Sequence, residues 1–198
     1  MSSRPTLTPD SLATTAADIA DELGFERLSV SEVARRAGVK PASVYFHLDG
    51  ADDLRGRVSA LALAELGDRL ALALAGRAGR DALGALVDTV RGYALEHPGR
   101  WEATQVRITA PEAGPPGVRV GALMLGVVRA YGLPEEEQTH AVRLVGSTVN
   151  GFVRLHVNGG FDHSQPDPED SWLRMTQALD SALTHWPVTV APDQESPR

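Results

Sequence analysis

Apolar residues recur at three- and four-residue intervals along most of this chain, and glycine and proline fall between the repeats rather than inside them. The first stripe, Leu12, Ala16, Ile19, Ala20 and Leu23, is opened by Thr8-Pro9 and closed by Gly24. Phe25 and Leu28 follow it as plugs for a small core. Ser29 with Glu32 three residues later has the form of a capping box, which predicts a helix starting at Val30. Val30, Val33, Ala34 and Ala37 then share one face, and Gly38 supplies the positive φ that ends the helix. Pro41 suits the first turn of a second helix and holds Lys40 extended, so the chain changes direction at Val39 and Lys40. Ala34 is small enough for a close crossing, with Val39 and Val44 filling the seam. The pattern is a helix-turn-helix whose second helix is free to enter a major groove.

The remainder also reads as helix, with no strand alternation and no internal repeat. Asp49 to Asp53 place acids at the start of a long fourth helix, where the helix dipole favours them. That helix runs through Leu54, Val58, Leu61, Leu66 and Leu70 to Gly76, with no linker before it. Leu83, Leu86, Val87, Val90, Tyr93 and His97 form the next stripe, stopped by Pro98-Gly99. A short helix with Trp101, Val106 and Ile108 follows, then a loop from Pro111 to Gly117. Leu123, Met124, Val127, Val128 and Tyr131 mark a seventh helix, ended by Gly132. Pro134 starts an eighth, with Ala141, Val145, Thr148, Phe152 and Leu155 along it and Asn158-Gly159-Gly160 at its end. Asp167-Pro168 opens the ninth, whose stripe is Trp172, Met175, Leu179, Ala182 and Trp186, before Pro187. The expected fold is all-α, about nine helices: tail 1–8, helix-turn-helix domain 9–50, larger helical domain 51–186, tail 187–198. Both tails are expected to be disordered.

Charge changes this picture locally. The formal net charge of −7 opposes nucleic-acid binding if spread evenly. Between Val30 and Leu48, however, Arg35, Arg36 and Lys40 face Glu32 alone, and Lys40 is the only lysine in the chain. The acids cluster elsewhere, at Asp18, Asp21 and Glu22 and at Glu135, Glu136 and Glu137. A modestly basic tip on an acidic body fits a selective reader of DNA better than a general coater. The absence of cysteine excludes disulfides, thiolate metal sites and thiol nucleophiles. The six histidines show no metal-ligand spacing, and no phosphate loop, dinucleotide fingerprint or nucleophile elbow occurs, so neither metal, cofactor nor catalysis is expected. No signal peptide is visible, and Glu65, Asp68 and Arg69 interrupt the most apolar stretch, Ala60 to Ala75. A cytoplasmic protein without membrane contact is expected.

The stripe ending in Gly24-Phe25, the motif, Val44-Tyr45-Phe46-His47-Leu48, Asp53-Leu54 and a wholly helical remainder together resemble the tetracycline-repressor (TetR) family. Residues 9 to 58 carry the specific part. The C-terminal part is similar to a subgroup bearing a short His-Gly signature, on the strength of Tyr93 to Gly99, Gly151-Phe152-Val153 and Gly159-Gly160-Phe161. Asn150 stands where that signature has histidine. The resemblance implies a homodimer on a palindromic double-stranded DNA operator, usually repressing, and released by a small-molecule effector. Carried over by position, Pro41, Ala42 and Ser43 face base edges, Ser31, Tyr45 and His47 hold phosphates, and Phe46 touches a thymine methyl. Lys40 joins them from the turn. Many relatives begin the fourth helix with lysine; here Ala51 stands among Asp49, Asp52 and Asp53, which predicts weaker binding.

In the larger domain, Tyr93, His97, Trp101, Met124, Asn150 and Trp172 are candidates to line an effector cavity, being polar or aromatic positions in an apolar helical core. The resemblance assigns dimerisation to the last two helices, with Gly146 and Gly151 allowing close approach and Val145, Phe152 and Leu179 supplying apolar area. Two other readings stay open at this stage. One is a ligand- or partner-binding helical protein with a weakened DNA head; the other is an all-helical enzyme.

Overall fold

The computed structural model describes residues 7–106 and 113–187, and among them the secondary structure is helical throughout. Helix α1 (Pro9–Leu23) begins at Thr8, whose side chain accepts from the Ser11 amide while Ser11 reciprocates, and ends at Gly24 with φ 92°. A 3-10 turn (Phe25–Arg27) leads to α2 (Val30–Arg36) and α3 (Pro41–Tyr45). Then come α4 (Ala51–Leu74), α5 (Gly79–Glu96), α6 (Pro98–Gln105), α7 (Gly114–Arg129), α8 (Glu135–Val157) and α9 (Pro168–Thr184).

Two cores organise these helices. The head core joins Leu12, Ile19, Phe25, Val33, Val44 and Leu48 to Leu54, Val58 and Ala62 of α4 and Ala103 of α6. Leu12, Ile19, Val33 and Val44 are fully sealed, and each such side chain contributes about 1.5–3 kcal/mol of burial. The body core takes over along α4 at Leu66 and Leu70 and gathers α5, α7, α8 and α9 around Leu83, Leu86, Tyr93 and Trp172. A continuous α4 thus belongs to both cores.

Several local expectations are corrected. Only half of the capping box at Ser29 forms: its hydroxyl accepts from the Glu32 amide at 3.3 Å, but the Glu32 carboxylate turns to Arg35 instead. Leu23 is 42% exposed, because α1 runs past the edge of the small core. Gly114 to Gly117 belong to α7, since Pro115 and Pro116 fit a first turn that has no amide partners to lose. On α8 the buried row is Ala141, Val145, Val149 and Val153, at intervals of four, while Leu155 is half exposed. Val106 caps α6 and is also largely exposed. Ile108, the start of the expected loop at Pro111, and most of both tails lie outside the described residues.

Candidate nucleic-acid interface

The tip of the head is set by backbone chemistry. Gly38 takes φ 67°, and the Val39 amide donates back to Ala34 at 3.0 Å, closing α2. Lys40 is extended (φ −75°, ψ 147°) and Pro41 begins α3. Val44 and Leu48 point into the core and fix the rotation of this segment. The opposite side is therefore presented outward: Lys40, Pro41, Ala42, Ser43 and Tyr45 are exposed, and Phe46 is 86% exposed. His47 is half-buried with its ring edge-on to Phe46 at 5.4 Å between centroids. Ser31 is exposed in the first turn of α2. Seven of the eight candidate DNA contacts thus lie between Lys40 and His47, on α3 and its two ends, while Ser31 stands at the other end of α2.

The tip is less basic than its composition. Arg36 is paired with Glu22 of α1 at 2.5 Å, and Arg35 with Glu32. Hydrogen bonds from the two guanidinium groups hold both carboxyls below the ordinary glutamate range. Lys40 has no ion-pair partner among the described residues. At the start of α4, Asp53 is consumed internally, accepting from the Asp49 amide at 2.9 Å and pairing with Arg57, while Asp49 and Asp52 stay exposed.

Behind the head, α6 makes a dense junction that sequence reasoning missed. A Cβ at Gly99 would lie 2.0 Å from the Ala20 carbonyl oxygen, so only glycine permits this approach of α6 to α1. Arg100 is buried and grips Asp18 at 2.6 Å and Asp21 at 2.9 Å, while its amide donates to Asp21 at 2.8 Å. Glu102 accepts from the Phe25 amide at 3.1 Å, and Ala103 enters the head core. The next residues of the same helix, Thr104 and Gln105, line a chamber in the body.

That chamber holds about 200 Å³ between α4, α5, α6, α7 and α8. Four leucines, four valines and Met124 make most of its wall, with Thr104, Gln105 and Asn150 as its polar groups. Of the six predicted cavity residues, the structure brings Met124 and Asn150 together there. Tyr93 is sealed beside it, with its hydroxyl 2.9 Å from Glu65, and burial raises its pKa far above the usual phenol range. His97 sits in the junction, its Nδ1 3.0 Å from Asp21 and 2.7 Å from Arg100. Trp101 packs into the body core. Trp172 donates to Asp88 at 2.7 Å and stacks under Arg91 and against Phe152. The aliphatic wall was unreadable because leucine and valine at helical spacing mark any core.

The predicted dimer residues divide likewise. Val145 and Leu179 are buried within the chain's own core, Gly146 is half-buried 3.5 Å from the Met124 methyl for a built Cβ, Phe152 is half-buried, and Gly151 is exposed.

Comparison with known proteins adds to this geometry. Residues 12–56 match the family described as bacterial regulatory proteins, tetR family, and residues 83–179 match the tetracyclin repressor-like C-terminal domain. An uncharacterised HTH-type transcriptional regulator of Mycobacterium tuberculosis is 30% identical over 184 residues, spanning 90% of this chain and 84% of its own. A protein of unknown function from Rhodococcus sp. RHA1 superposes with a TM-score of 0.75 at 18% identity, over 91% of this chain and 97% of its own. The Streptomyces coelicolor TetR family protein ActR, solved in complex with (S)-DNPA, superposes at 0.67 and 18% identity over 91% of this chain and 98% of its own.

Proposed function

The chain belongs to the tetR family of bacterial regulatory proteins, and from that premise we propose a homodimeric, effector-released repressor that reads a palindromic operator through Lys40 to His47. One observation carries the reading: Phe46 is 86% exposed on a turn whose other side is fully buried. An aromatic presented this way beside Tyr45, Lys40 and the Ser43 hydroxyl suits a thymine methyl, a phosphate and base edges. No arginine lies on α3, so selectivity rests on these few contacts and on DNA shape.

Effector response is proposed to run through α6. Thr104 and Gln105 touch the chamber, and Gly99, Arg100, Glu102 and Ala103 of the same two turns are fixed to α1, the 3-10 turn and the head core. A molecule that displaces the end of α6 therefore carries the head with it. Two-fold pairing is assigned to α8 and α9, with exposed Leu144, Gly151, Leu155 and Leu173 as the surface available to a second copy and Val145 and Leu179 backing it from inside. We assign the head to residues 9–50 and the effector and dimer domain to residues 51–186, and place the latter in the His-Gly subgroup. No described helix is long and apolar enough to cross a membrane. From its family we read the protein as cytoplasmic and non-enzymatic.

A gel-shift titration on the DNA upstream of the chain's own gene tests this. Wild type is expected to give a discrete complex at low salt, lost in the double variant Lys40→Ala, Tyr45→Ala. An unchanged complex in that variant contradicts the reading.

A further inference from the structure

The wall of the chamber specifies what it accepts. Among the described residues that line it, none is charged and none is aromatic. An ionised ligand would lose its hydration there without a counter-charge, and a flat cation would find no ring face to stack on. Polar capacity is narrow. The Thr104 hydroxyl is already spent, donating to the Trp101 carbonyl at 2.7 Å and accepting from Gln105 Nε2 at 2.7 Å. The half-buried Asn150 side chain has no hydrogen-bond partner among the described residues. A carboxamide left unpaired in an aliphatic chamber has one donor pair and one acceptor to offer. Size sets the last limit. A dry apolar cavity of about 150 Å³ holds benzene, so about 200 Å³ encloses roughly eight non-hydrogen atoms, and a slightly longer molecule extends into the mouth beside exposed Gln105.

Building on the proposed effector role of this chamber, we propose that it takes a small, uncharged, mainly aliphatic molecule bearing one compact hydrogen-bonding group that pairs with Asn150. Carboxylates, ammonium compounds and large aromatic drugs are excluded by the same wall. Asn150 selects for the polar group, while the leucine and valine wall supplies affinity without orientation.

The test is calorimetric titration of the full chain, without DNA, with three probes sharing one tail length: octanamide, octanoate and octylammonium. Octanamide is expected to bind at least tenfold more tightly than either charged probe. Asn150→Leu should lower octanamide affinity at least fivefold. Gly146→Leu grows beside the Met124 methyl into the chamber and should abolish binding; Val120→Phe fills it from α7 and covers the case in which the first variant misfolds. Equal or tighter binding of octanoate or octylammonium, absence of octanamide binding, or octanamide binding unchanged in both filled variants overturns the proposal. Because no DNA is present, a chain that binds octanamide yet keeps its operator in its presence counts against the effector reading alone. Release by a charged compound counts against this ligand class alone.

Discussion

The reading tip and the chamber are assembled from opposite materials. The tip draws its working side chains from residues 31–47, presents them to solvent, and spends little stability on them. The chamber gathers its wall from five helices between Leu63 and Asn150, keeps Leu66, Leu70, Leu86 and Val145 buried behind half-buried Asn150 and exposed Gln105, and depends on packing throughout. Substitutions at the tip should change affinity and leave folding alone, while substitutions toward the chamber should change folding first. Helix α6 is where the contrast ends, because it belongs to the head core through Ala103, the body core through Trp101 and the chamber through Gln105.

The largest effect is therefore expected at the junction. Gly99→Ala drives a methyl into the backbone of α1 and should cost at least about 3 kcal/mol in urea denaturation, at the upper end for overpacking. A loss below about 1 kcal/mol would show that head and body are not locked there. Arg100→Met should cost about 2 kcal/mol, because the mostly buried Asp21 loses its cation while the half-exposed Asp18 is rehydrated. Phe46→Ala should sharpen the contrast from the other side. Its melting temperature should stay at the wild-type value, within about 0.5 kcal/mol of stability, while operator affinity falls at least tenfold.

The smallest expected effect is a pH dependence in the body. The Arg91 guanidinium, hydrogen-bonded to Glu169, holds that carboxyl below its ordinary value of 4.5. A carboxyl lowered by folding stabilises the native state above its unfolded pKa, and the gain is lost as pH falls through the folded value. Thermal melts of wild type and Glu169→Gln should accordingly diverge at neutral pH and converge only once the pH has fallen below the ordinary glutamate range. Melts of Phe46→Ala should instead track wild type at every pH, since that side chain carries no charge.

How much was legible follows the same division. Thr8, Gly24, Gly38 and Pro41 act through their immediate backbone neighbours, so caps and turns could be placed on the chain before any packing was known. Tip exposure followed from Val44 being committed to the seam, while the inward turn of Leu48 emerged only with the packing. Gly99 gave no such signal, because the backbone it must approach lies 79 positions earlier, at Ala20. Asp18 and Asp21 read as surface acids until Arg100 arrived from α6. On α8, apolar residues surround much of the helix, so periodicity alone did not choose between the row through Val149 and Val153 and the row through Phe152 and Leu155. Contact with α5, α7 and α9 chose it.

Fluorescence anisotropy of labelled DNA from upstream of the chain's own gene, titrated with the full chain across a salt series, tests the sparse reading head most directly. Two or three neutralised phosphates per half-site predict saturable binding at low salt with a log–log slope of about −4 to −5, weakened at least tenfold by Phe46→Ala. No saturable binding at low salt, or a salt-insensitive complex that Phe46→Ala leaves untouched, would contradict the account.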